Sequence, residues 1–321
     1  MRDVNSLSSA VKMQNISKSF GGIKALDNVD ISFQYHEIHA LLGENGAGKS
    51  TILKILRGIH SFSNGKVLID NNPISNLTPQ NAKEYGIGMI FQEMSLVQSL
   101  TVAQNIYLGN EPKTKLGFID DILMIKKSET IFKSMGININ PKEKLNNLTT
   151  GQQQLTEIAK ALSQNAKILI LDEPTSALTT SEVKILFNLL IKLKSEGKCI
   201  IYVSHRMEEI FQISDKITVL RDGKLINTKK INEYNLQTLI SDIMGKETKN
   251  LSDFRKKTNK KSKIILKVRN VSSLNKGGNY NFDLYKGEVL GIAGLLGSGR
   301  SRIARLLYGL ETKGSGNIIF K

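Results

Sequence analysis

The chain has 321 residues, a length that suits one large α/β domain together with part of another. Its hydrophobic fraction of 40% is ordinary for a globular protein, and the sequence contains no run of about 18 apolar residues that would predict a membrane span. The formal net charge of +16 raises the possibility of binding to nucleic acid or to a membrane surface, but the distribution of that charge weakens the nucleic-acid interpretation. The N-terminal stretch lacks the apolar segment of a secretory signal, so the sequence predicts a cytosolic protein.

The first strand–loop–helix unit carries a phosphate-binding motif. IHALL (38–42) predicts a short strand, and GENGAGKS (43–50) matches G-x-x-x-x-G-K-[ST] in full ahead of an amphipathic helix. Glycines allow the tight turn that aims backbone N–H groups at phosphate oxygens. Lys49 would reach the β- and γ-phosphates, Ser50 would ligate Mg²⁺, and Thr51 would lie near the α-phosphate. The predicted binding residues are Gly43, Glu44, Asn45, Gly46, Ala47, Gly48, Lys49, Ser50 and Thr51.

A second motif with a chemical role, Asp172-Glu173, follows the apolar run ILIL (168–171). Asp172 would end this buried strand and hold Mg²⁺ through water, and Glu173 would polarise the attacking water as a general base. An apolar run before Asp-Glu-Pro is also compatible with a strand that simply ends in a turn. The phosphate loop upstream favours the catalytic interpretation.

The remaining local patterns predict an α/β fold. CIIYVS (199–204) is a further buried strand, and its Cys199, the single cysteine of the chain, is expected to be a buried strand residue. SEVKILFNLLIKLKSEG has apolar residues at helical spacing, with Gly197 as its expected C-cap. Alternating strands and helices predict a largely parallel sheet with its ligand at the carboxyl ends of the strands.

The sequence contains an internal repeat at a constant offset of 251 residues. EIHALLGENGAGKSTILKILRG aligns without a gap to EVLGIAGLLGSGRSRIARLLYG, and the predicted second copy begins near Ile264. Before it, ten basic and two acidic residues lie between Lys246 and Arg269, a net of +8 that predicts a solvated linker. The pairs are Gly43 with Gly294, Gly46 with Gly297, Gly48 with Gly299, Lys49 with Arg300, Ser50 with Ser301, Gly58 with Gly309, and Gly65 with Gly316.

The segment before the second apolar run resembles a motif of a known family. LTTGQQQLTEIAKAL, just before ILILDEPTSAL, resembles the signature sequence of ABC ATPases, and the order of the other motifs fits that family. The resemblance implies that Gln92 of IFQEMS contacts Mg²⁺ and links to a transmembrane partner. It also implies that His205 of VSHR contacts the γ-phosphate and that Phe20 of SKSFGGIKAL stacks on adenine. Taken singly, Gln92 and His205 would be unremarkable polar residues, and Phe20 would be a core residue.

The resemblance also implies the architecture. It predicts a phosphate-loop nucleotidase of ABC type with an N-terminal antiparallel β subdomain and a helical subdomain over about 93–150. The first nucleotide-binding domain would span 1–247, a lysine-rich linker 248–263, and the opening part of a second, degenerate domain 264–321.

Several segments narrow the resemblance to the importers of simple sugars of the ribose, galactose and xylose class. These segments are SLTVAQNIYLGNEP, GQQQLTEIAKAL, DEPTSALT, SHRMEEIF and ITVLRDGK. Such importers fuse two nucleotide-binding domains and have arginine in place of lysine in the second phosphate loop. Arg300 occupies that position here. The resemblance implies ATP and Mg²⁺ as cofactors and a permease dimer as partner on the cytoplasmic membrane face. An external sugar-binding protein would act indirectly, and the second nucleotide-binding domain or a second copy would complete the ATP site.

The chain departs from the family pattern at the signature, which reads Leu-Thr-Thr-Gly instead of Leu-Ser followed by two glycines. Thr149, Gly151 and Gln152 would close over ATP held by the partner domain, and the methyl group of Thr149 would crowd that approach. The second copy stops before its own signature, which suggests a truncated sequence. We therefore expect this chain alone to bind Mg-ATP but to hydrolyse it poorly, and we expect 264–321 to be loosely held.

Three alternatives remain open at the sequence level. A ribosome-associated ABC protein would also be basic and tandem, but it keeps lysine in both phosphate loops and has a long helical segment between them. A DNA-repair or chromosome-organising ATPase needs zinc-binding cysteines or a long heptad insertion, which this sequence lacks, so nucleic acid is disfavoured as a partner. The third alternative is a truncated remnant that binds ATP and hydrolyses it poorly.

Overall fold

A computed structural model describes residues 9–90, 95–245, 263–274, 277–294 and 298–320. The chain divides into two compact units, one ending at Thr248 and the other beginning at Lys249. None of the helices within these ranges is long and apolar enough to cross a bilayer.

The first unit combines two sheets with helices. Its strands are β1 (Ser9–Phe20), β2 (Ile23–Gln34), β3 (Glu37–Leu42), β4 (Asn64–Ile69), β5 (Asn72–Ile74), β6 (Ile87–Ile90), β7 (Ile168–Asp172), β8 (Cys199–Val203), β9 (Lys216–Arg221) and β10 (Lys224–Lys230). Its helices are α1 (Lys49–Leu56), α2 (Pro79–Glu84), α3 (Val102–Tyr107), α4 (Asp121–Met135), α5 (Thr150–Ser163), α6 (Thr180–Ser195), α7 (Met207–Ile213) and α8 (Leu236–Met244).

The central sheet has six strands in the order β10-β9-β3-β8-β7-β6. The pairs β3–β8, β3–β9, β7–β8 and β6–β7 are parallel, and only β10 runs antiparallel to its neighbour β9. Every residue of β3 and β8 is buried, as expected for parallel strands covered on both faces. The largely parallel sheet predicted from the sequence is confirmed, and Cys199 is fully buried.

Two hydrophobic clusters cover the opposite faces of this sheet. Along β8, Ile200 and Tyr202 belong to the cluster that includes the buried side of α6, whereas Ile201 and Val203 belong to the one that includes α1. This alternation is the period of two that a strand imposes on its side chains. Helix α6 ends at Ser195, and Gly197 has a φ of 94°, so the glycine lies one position after the cap residue Glu196.

The smaller antiparallel sheet of the first unit has the order β2-β1-β4-β5. It contributes Val11, Met13 and Phe33 to the cluster that also receives α1, so it packs on the phosphate-loop side of the central sheet. Helices α3, α4 and α5 follow β6 and precede β7 along the chain, and they pack against one another. The predicted antiparallel β subdomain and helical subdomain are therefore both present.

Within its described residues, the second unit has the strands β11 (Ile264–Ser273), β12 (Gly277–Tyr285) and β13 (Lys313–Phe320) and the helix α9 (Arg300–Tyr308). The three strands form an antiparallel sheet in the order β12-β11-β13. Gly316 on its last strand has a φ of 81°, and an added Cβ would collide with the carbonyls of Arg269 and Asn270 on β11. Gly65, its partner in the sequence repeat, has a φ of 109° and faces the carbonyls of Gln14 and Asn15 on β1 in the same way.

Candidate functional site

The phosphate loop connects the buried strand β3 to the N-terminus of α1. Gly43, Gly46 and Gly48 have φ values of 152°, 85° and 104°, the backbone conformation in which glycine is strongly preferred. At Gly48 a Cβ would also come within 2.8 Å of the Ala25 carbonyl oxygen, so both conformation and space require glycine there. Such a run of glycines gives the compact turn whose backbone N–H groups can face a phosphate.

Lys49 folds back over this loop. Its Nζ donates hydrogen bonds to the carbonyl oxygens of Gly43 at 2.7 Å and of Glu44 at 2.9 Å. Partial burial lowers the pKa of Lys49, while the nearby carboxylates of Asp172 and Glu173 act in the opposite direction. A cation held against a glycine-rich turn is the arrangement that recognises a phosphate chain.

Asp172 and Glu173 follow the four buried apolar residues of β7. Burial raises the pKa of Asp172, and the adjacent Glu173 carboxylate raises it further. Glu173 has a φ of 49°, an uncommon backbone conformation outside glycine, and its N–H donates to the carbonyl of Val203 at 2.9 Å. Strand β8 therefore sets the direction in which Glu173 leaves the sheet.

His205 lies two residues beyond β8 and contacts Glu173. Its Nδ1 is 3.1 Å from Oε1 of Glu173, and its side chain is 69% exposed against 26% for the glutamate. This contact exists because β7 and β8 are parallel neighbours whose carboxyl ends meet at one edge of the sheet. The histidine thus presents an accessible ring edge beside a partly shielded carboxylate.

These groups converge on one cavity of about 760 Å³, a size typical of small-molecule sites. Gly43, Glu44 and Ala47 are the predicted loop residues outside its lining: two supply backbone carbonyls to Lys49, and Ala47 is buried. Ala25 and Val203, which the sequence did not predict, also line it. The lining residues are Phe20, Ala25, Asn45, Gly46, Gly48, Lys49, Ser50, Thr51, Asp172, Glu173, Val203 and His205.

Phe20 lies at the end of β1, at the mouth of the cavity, and is 42% exposed. The ring of His60 meets it edge-on with 5.1 Å between centroids, and Nζ of Lys18 lies 5.1 Å from its centroid. An aromatic ring that is supported by neighbours and still exposed can stack on a planar ligand.

The signature residues lie elsewhere in the unit. Thr149 is the N-cap of α5 and forms a capping box with Gln152, and Gly151 is buried beside the carboxylate of Glu182. Among the described residues, none of these three lines the phosphate-loop cavity. Gln92 falls outside the ranges that the structure describes.

The residues present suit Mg²⁺ bound together with a phosphate chain. Within the described ranges no cluster of three or more His, Cys, Asp or Glu side chains could hold a metal by itself. Mg²⁺ usually keeps several waters and takes only one or two protein ligands besides phosphate oxygens. The hydroxyl of Ser50 and the carboxylate of Asp172 line the same cavity and fit that requirement.

One carboxylate near the site escaped the sequence analysis. Glu209 on α7 is buried and accepts hydrogen bonds from Thr175, Tyr202 and Ser204. His205 precedes α7, so the four-residue spacing between the two is not a helical repeat and gave no signal in the sequence. In SHRMEEIF the two adjacent glutamates look equivalent, and only the fold distinguishes them.

Comparison with known proteins gives consistent results. The family model for the ABC transporter matches residues 26–176. The galactose/methyl galactoside import ATP-binding protein MglA of Pasteurella multocida is 46% identical over 308 residues, which cover 95% of this chain and 60% of that protein. Its counterpart from Clostridium perfringens is 45% identical over 321 residues, covering 99% and 61%. The chain thus spans about 60% of the length of these curated relatives.

Solved structures of similar fold are also available. A dimeric structure of MJ0796, a bacterial ABC transporter cassette, is 30% identical with a TM-score of 0.61, and the match covers 69% of this chain and 98% of that one. The ADP conformation of MJ1267, an ATP-binding cassette of an ABC transporter, is 26% identical with a TM-score of 0.65 and coverage of 74% and 99%.

Proposed function

Because this chain belongs to the ATP-binding cassettes of ABC transporters, we propose that it binds Mg-ATP and hydrolyses it to drive a sugar importer. One observation carries this proposal. Lys49, Asp172 and Glu173 reach a single cavity from separate segments of the chain, together with Ser50 and His205. A site that only binds polyanions needs Lys49 alone, whereas hydrolysis also needs the Glu173 carboxylate and His205.

The proposed reaction is attack of water on the γ-phosphorus of ATP. A bond forms between the water oxygen and phosphorus, the bond from phosphorus to the bridging oxygen breaks, and ADP leaves with that electron pair. Glu173 accepts the proton of the attacking water. Lys49 and the loop N–H groups stabilise the negative charge that develops on the phosphate oxygens. Mg²⁺, held by Ser50 and by Asp172 through water, would neutralise phosphate charge.

His205 would orient the reacting groups. Its ring lies 3.1 Å from Glu173, so one edge of the imidazole holds the carboxylate while the exposed remainder faces the cavity. From that position it would contact the γ-phosphate. The histidine and glutamate act as a pair in this proposal, since both line the cavity and contact each other.

The second half of the site would come from another nucleotide-binding domain. Thr149, Gly151 and Gln152 lie away from this cavity, and the MJ0796 cassette has been solved as a dimer. In the second unit, α9 follows Gly299 as α1 follows Gly48, and Gly316 approaches β11 as Gly65 approaches β1, which supports a tandem arrangement, although residues 288–293, the counterpart of β3, form no strand. In the same proposal, the signature of this chain covers the ATP that the partner domain holds.

The sugar class and partners rest on the relatives. The proteins from Pasteurella multocida and Clostridium perfringens are described as galactose/methyl galactoside import ATP-binding proteins. We therefore propose galactose or a methyl galactoside as cargo, a permease dimer as direct partner, and an external sugar-binding protein upstream. The cassette would act on the cytoplasmic face of the membrane.

The proposal is tested at two levels. The purified chain should bind ATP in a Mg²⁺-dependent manner by calorimetry and release phosphate in single-turnover assays with protein in excess. Deleting its gene should abolish uptake of radiolabelled galactose, and restoring the gene should recover it. Absence of ATP binding would overturn the nucleotide site, whereas unchanged galactose uptake would overturn only the assignment of cargo.

Replacing Phe20 with alanine is expected to weaken ATP binding about tenfold, because stacking of a base on an aromatic ring contributes roughly 1–3 kcal/mol. The Phe20→Tyr variant keeps the ring and should bind as the original chain does. Titration with a fluorescent ATP analogue measures both, and inorganic triphosphate serves as a ligand without a base. An equal loss of triphosphate binding in Phe20→Ala would show that the ring supports the phosphate loop instead of the base.

A further inference from the structure

A buried carboxylate joins the two loops that carry the proposed catalytic groups. Glu209 on α7 is only 6% exposed. Its Oε2 accepts hydrogen bonds from the hydroxyls of Thr175, Tyr202 and Ser204, each at 2.9 Å. Its Oε1 accepts a bond from Nη1 of Arg206 at 3.2 Å. A buried carboxylate needs such a full set of donors, because an unpaired charge in the interior is costly.

Three of the four donors lie within two residues of Glu173 or His205 in the sequence. Thr175 lies two residues after Glu173, and Ser204 and Arg206 lie immediately before and after His205. Ser204 is bonded twice: its hydroxyl donates to Glu209 and accepts from the backbone N–H of Arg206 at 3.1 Å. The turn that presents His205 is therefore held on both sides by one carboxylate.

The backbone completes the connection between the two loops. The N–H of Glu173 donates to the carbonyl of Val203, the residue just before Ser204. Thr175 is 2% exposed and Tyr202 fully buried, so both hydroxyls are shielded from water. Burial and the Glu209 charge both raise the pKa of Tyr202, which keeps its phenol protonated as a donor.

We propose that Glu209 is a positioning residue for ATP hydrolysis, one that holds the Glu173 loop and the His205 turn at the distance at which their side chains meet. This inference rests on the proposed ATPase function. Glu209 itself does not line the phosphate-loop cavity among the described residues, so it acts through its donors. A shift of about 1 Å in a reacting group can cost on the order of 100-fold in rate, which makes such a constraint valuable.

The test compares three variants. Glu209→Ala removes the acceptor from all four donors, and Glu209→Gln keeps the size but places an amide donor opposite hydroxyls that already donate. The matched control is Glu208→Gln, one residue earlier on α7, which removes the same charge without touching this network. Thermal unfolding of each variant establishes that the unit remains folded.

The first readout does not depend on hydrolysis. The chain has four histidines, so labelling them with ¹³C at Cε1 gives a small set of imidazole resonances, and the His205 signal is assigned with His205→Gln. Glu209→Ala is expected to shift the His205 resonance while those of His36, His39 and His60 stay in place. Glu208→Gln should shift none of them. An unmoved His205 resonance in Glu209→Ala overturns the proposal, and so does a displacement of all four, which would indicate a general structural role.

The second readout is catalytic. Glu209→Ala is expected to slow single-turnover hydrolysis roughly 10- to 100-fold, with ADP affinity changed by no more than about twofold. Glu209→Gln should lie between Glu209→Ala and the original chain. A parallel loss of ADP binding would overturn the positioning role. If the original chain hydrolyses no ATP, the proposed function fails in its catalytic part, and the His205 resonance still decides whether Glu209 positions that ring.

Discussion

Replacing Glu173 with glutamine is expected to slow hydrolysis of bound ATP by roughly 100-fold or more, because an amide cannot accept the proton of the attacking water. The variant should still bind ATP. Its backbone is held by the hydrogen bond to Val203, and the amide carries no charge to repel the phosphates. Single-turnover assays measure the chemical step, and calorimetry measures ATP affinity separately. A large rate loss with retained affinity is the expected result.

The control for this prediction is Glu196→Gln. Glu196 caps the distant end of α6 and pairs only loosely with Lys192, at 4.0 Å across an exposed surface. It changes the net charge by the same amount and should leave the rate unaltered. If Glu173→Gln hydrolysed ATP at the original rate, another group would have to be the base, and the position of His205 beside Glu173 would need a different explanation.

The phosphate loop could be predicted in detail because its chemistry is local. The strand, the glycines and the helix are consecutive in the chain, and the φ values of Gly43 and Gly48 confirm the tight path that the motif predicts. The same is true of Asp172, since an apolar run followed by a carboxylate specifies a strand end without reference to any other segment. The fold class and the strand that ends at Asp172 therefore follow from short stretches of sequence.

The contacts across the site could not be predicted in this way. His205 meets Glu173 because β7 and β8 are neighbouring parallel strands. Lys49 reaches the same edge because β3 lies beside β8, from which it is far away along the chain. Periodicity predicts that a strand is buried but not which strand lies beside it. The sequence named His205 only through the family resemblance. It missed Glu209, because an adjacent pair of glutamates at the start of a helix normally indicates a solvated helix end.

The unusual signature is partly clarified by the structure. Thr149 accepts a hydrogen bond from the N–H of Gln152 at 3.2 Å, and the Gln152 side chain accepts one from the N–H of Thr149 at 3.0 Å. Serine and threonine both serve as N-caps, so the threonine retains the helix start that serine would provide. Whether its methyl group crowds a partner's ATP stays a prediction.

Replacing Lys49 with alanine is expected to weaken Mg-ATP binding about 100-fold, equivalent to about 3 kcal/mol, which is the order of a charge-assisted hydrogen bond lost to phosphate. Among the described residues, the Lys49 ammonium donates its hydrogen bonds to two loop carbonyls, so its removal should leave the fold intact. Calorimetry with ATP and ADP gives the affinities, and thermal unfolding checks the fold. Near-original affinity in a folded Lys49→Ala chain would exclude this cavity as the phosphate site.

The Lys49→Arg variant tests whether the shape of the cation matters, since it keeps the positive charge but replaces the ammonium with a guanidinium. Arginine presents a planar, wider group, whereas the ammonium is a compact charge that fits between the carbonyls of Gly43 and Glu44. We expect an affinity between those of Lys49→Ala and the original chain. The comparison bears on the second unit, where Arg300 begins α9 after Gly299 as Lys49 begins α1 after Gly48. If Lys49→Arg binds ATP as tightly as lysine does, Arg300 does not mark its loop as the weaker site; an intermediate affinity would support unequal roles for the two loops.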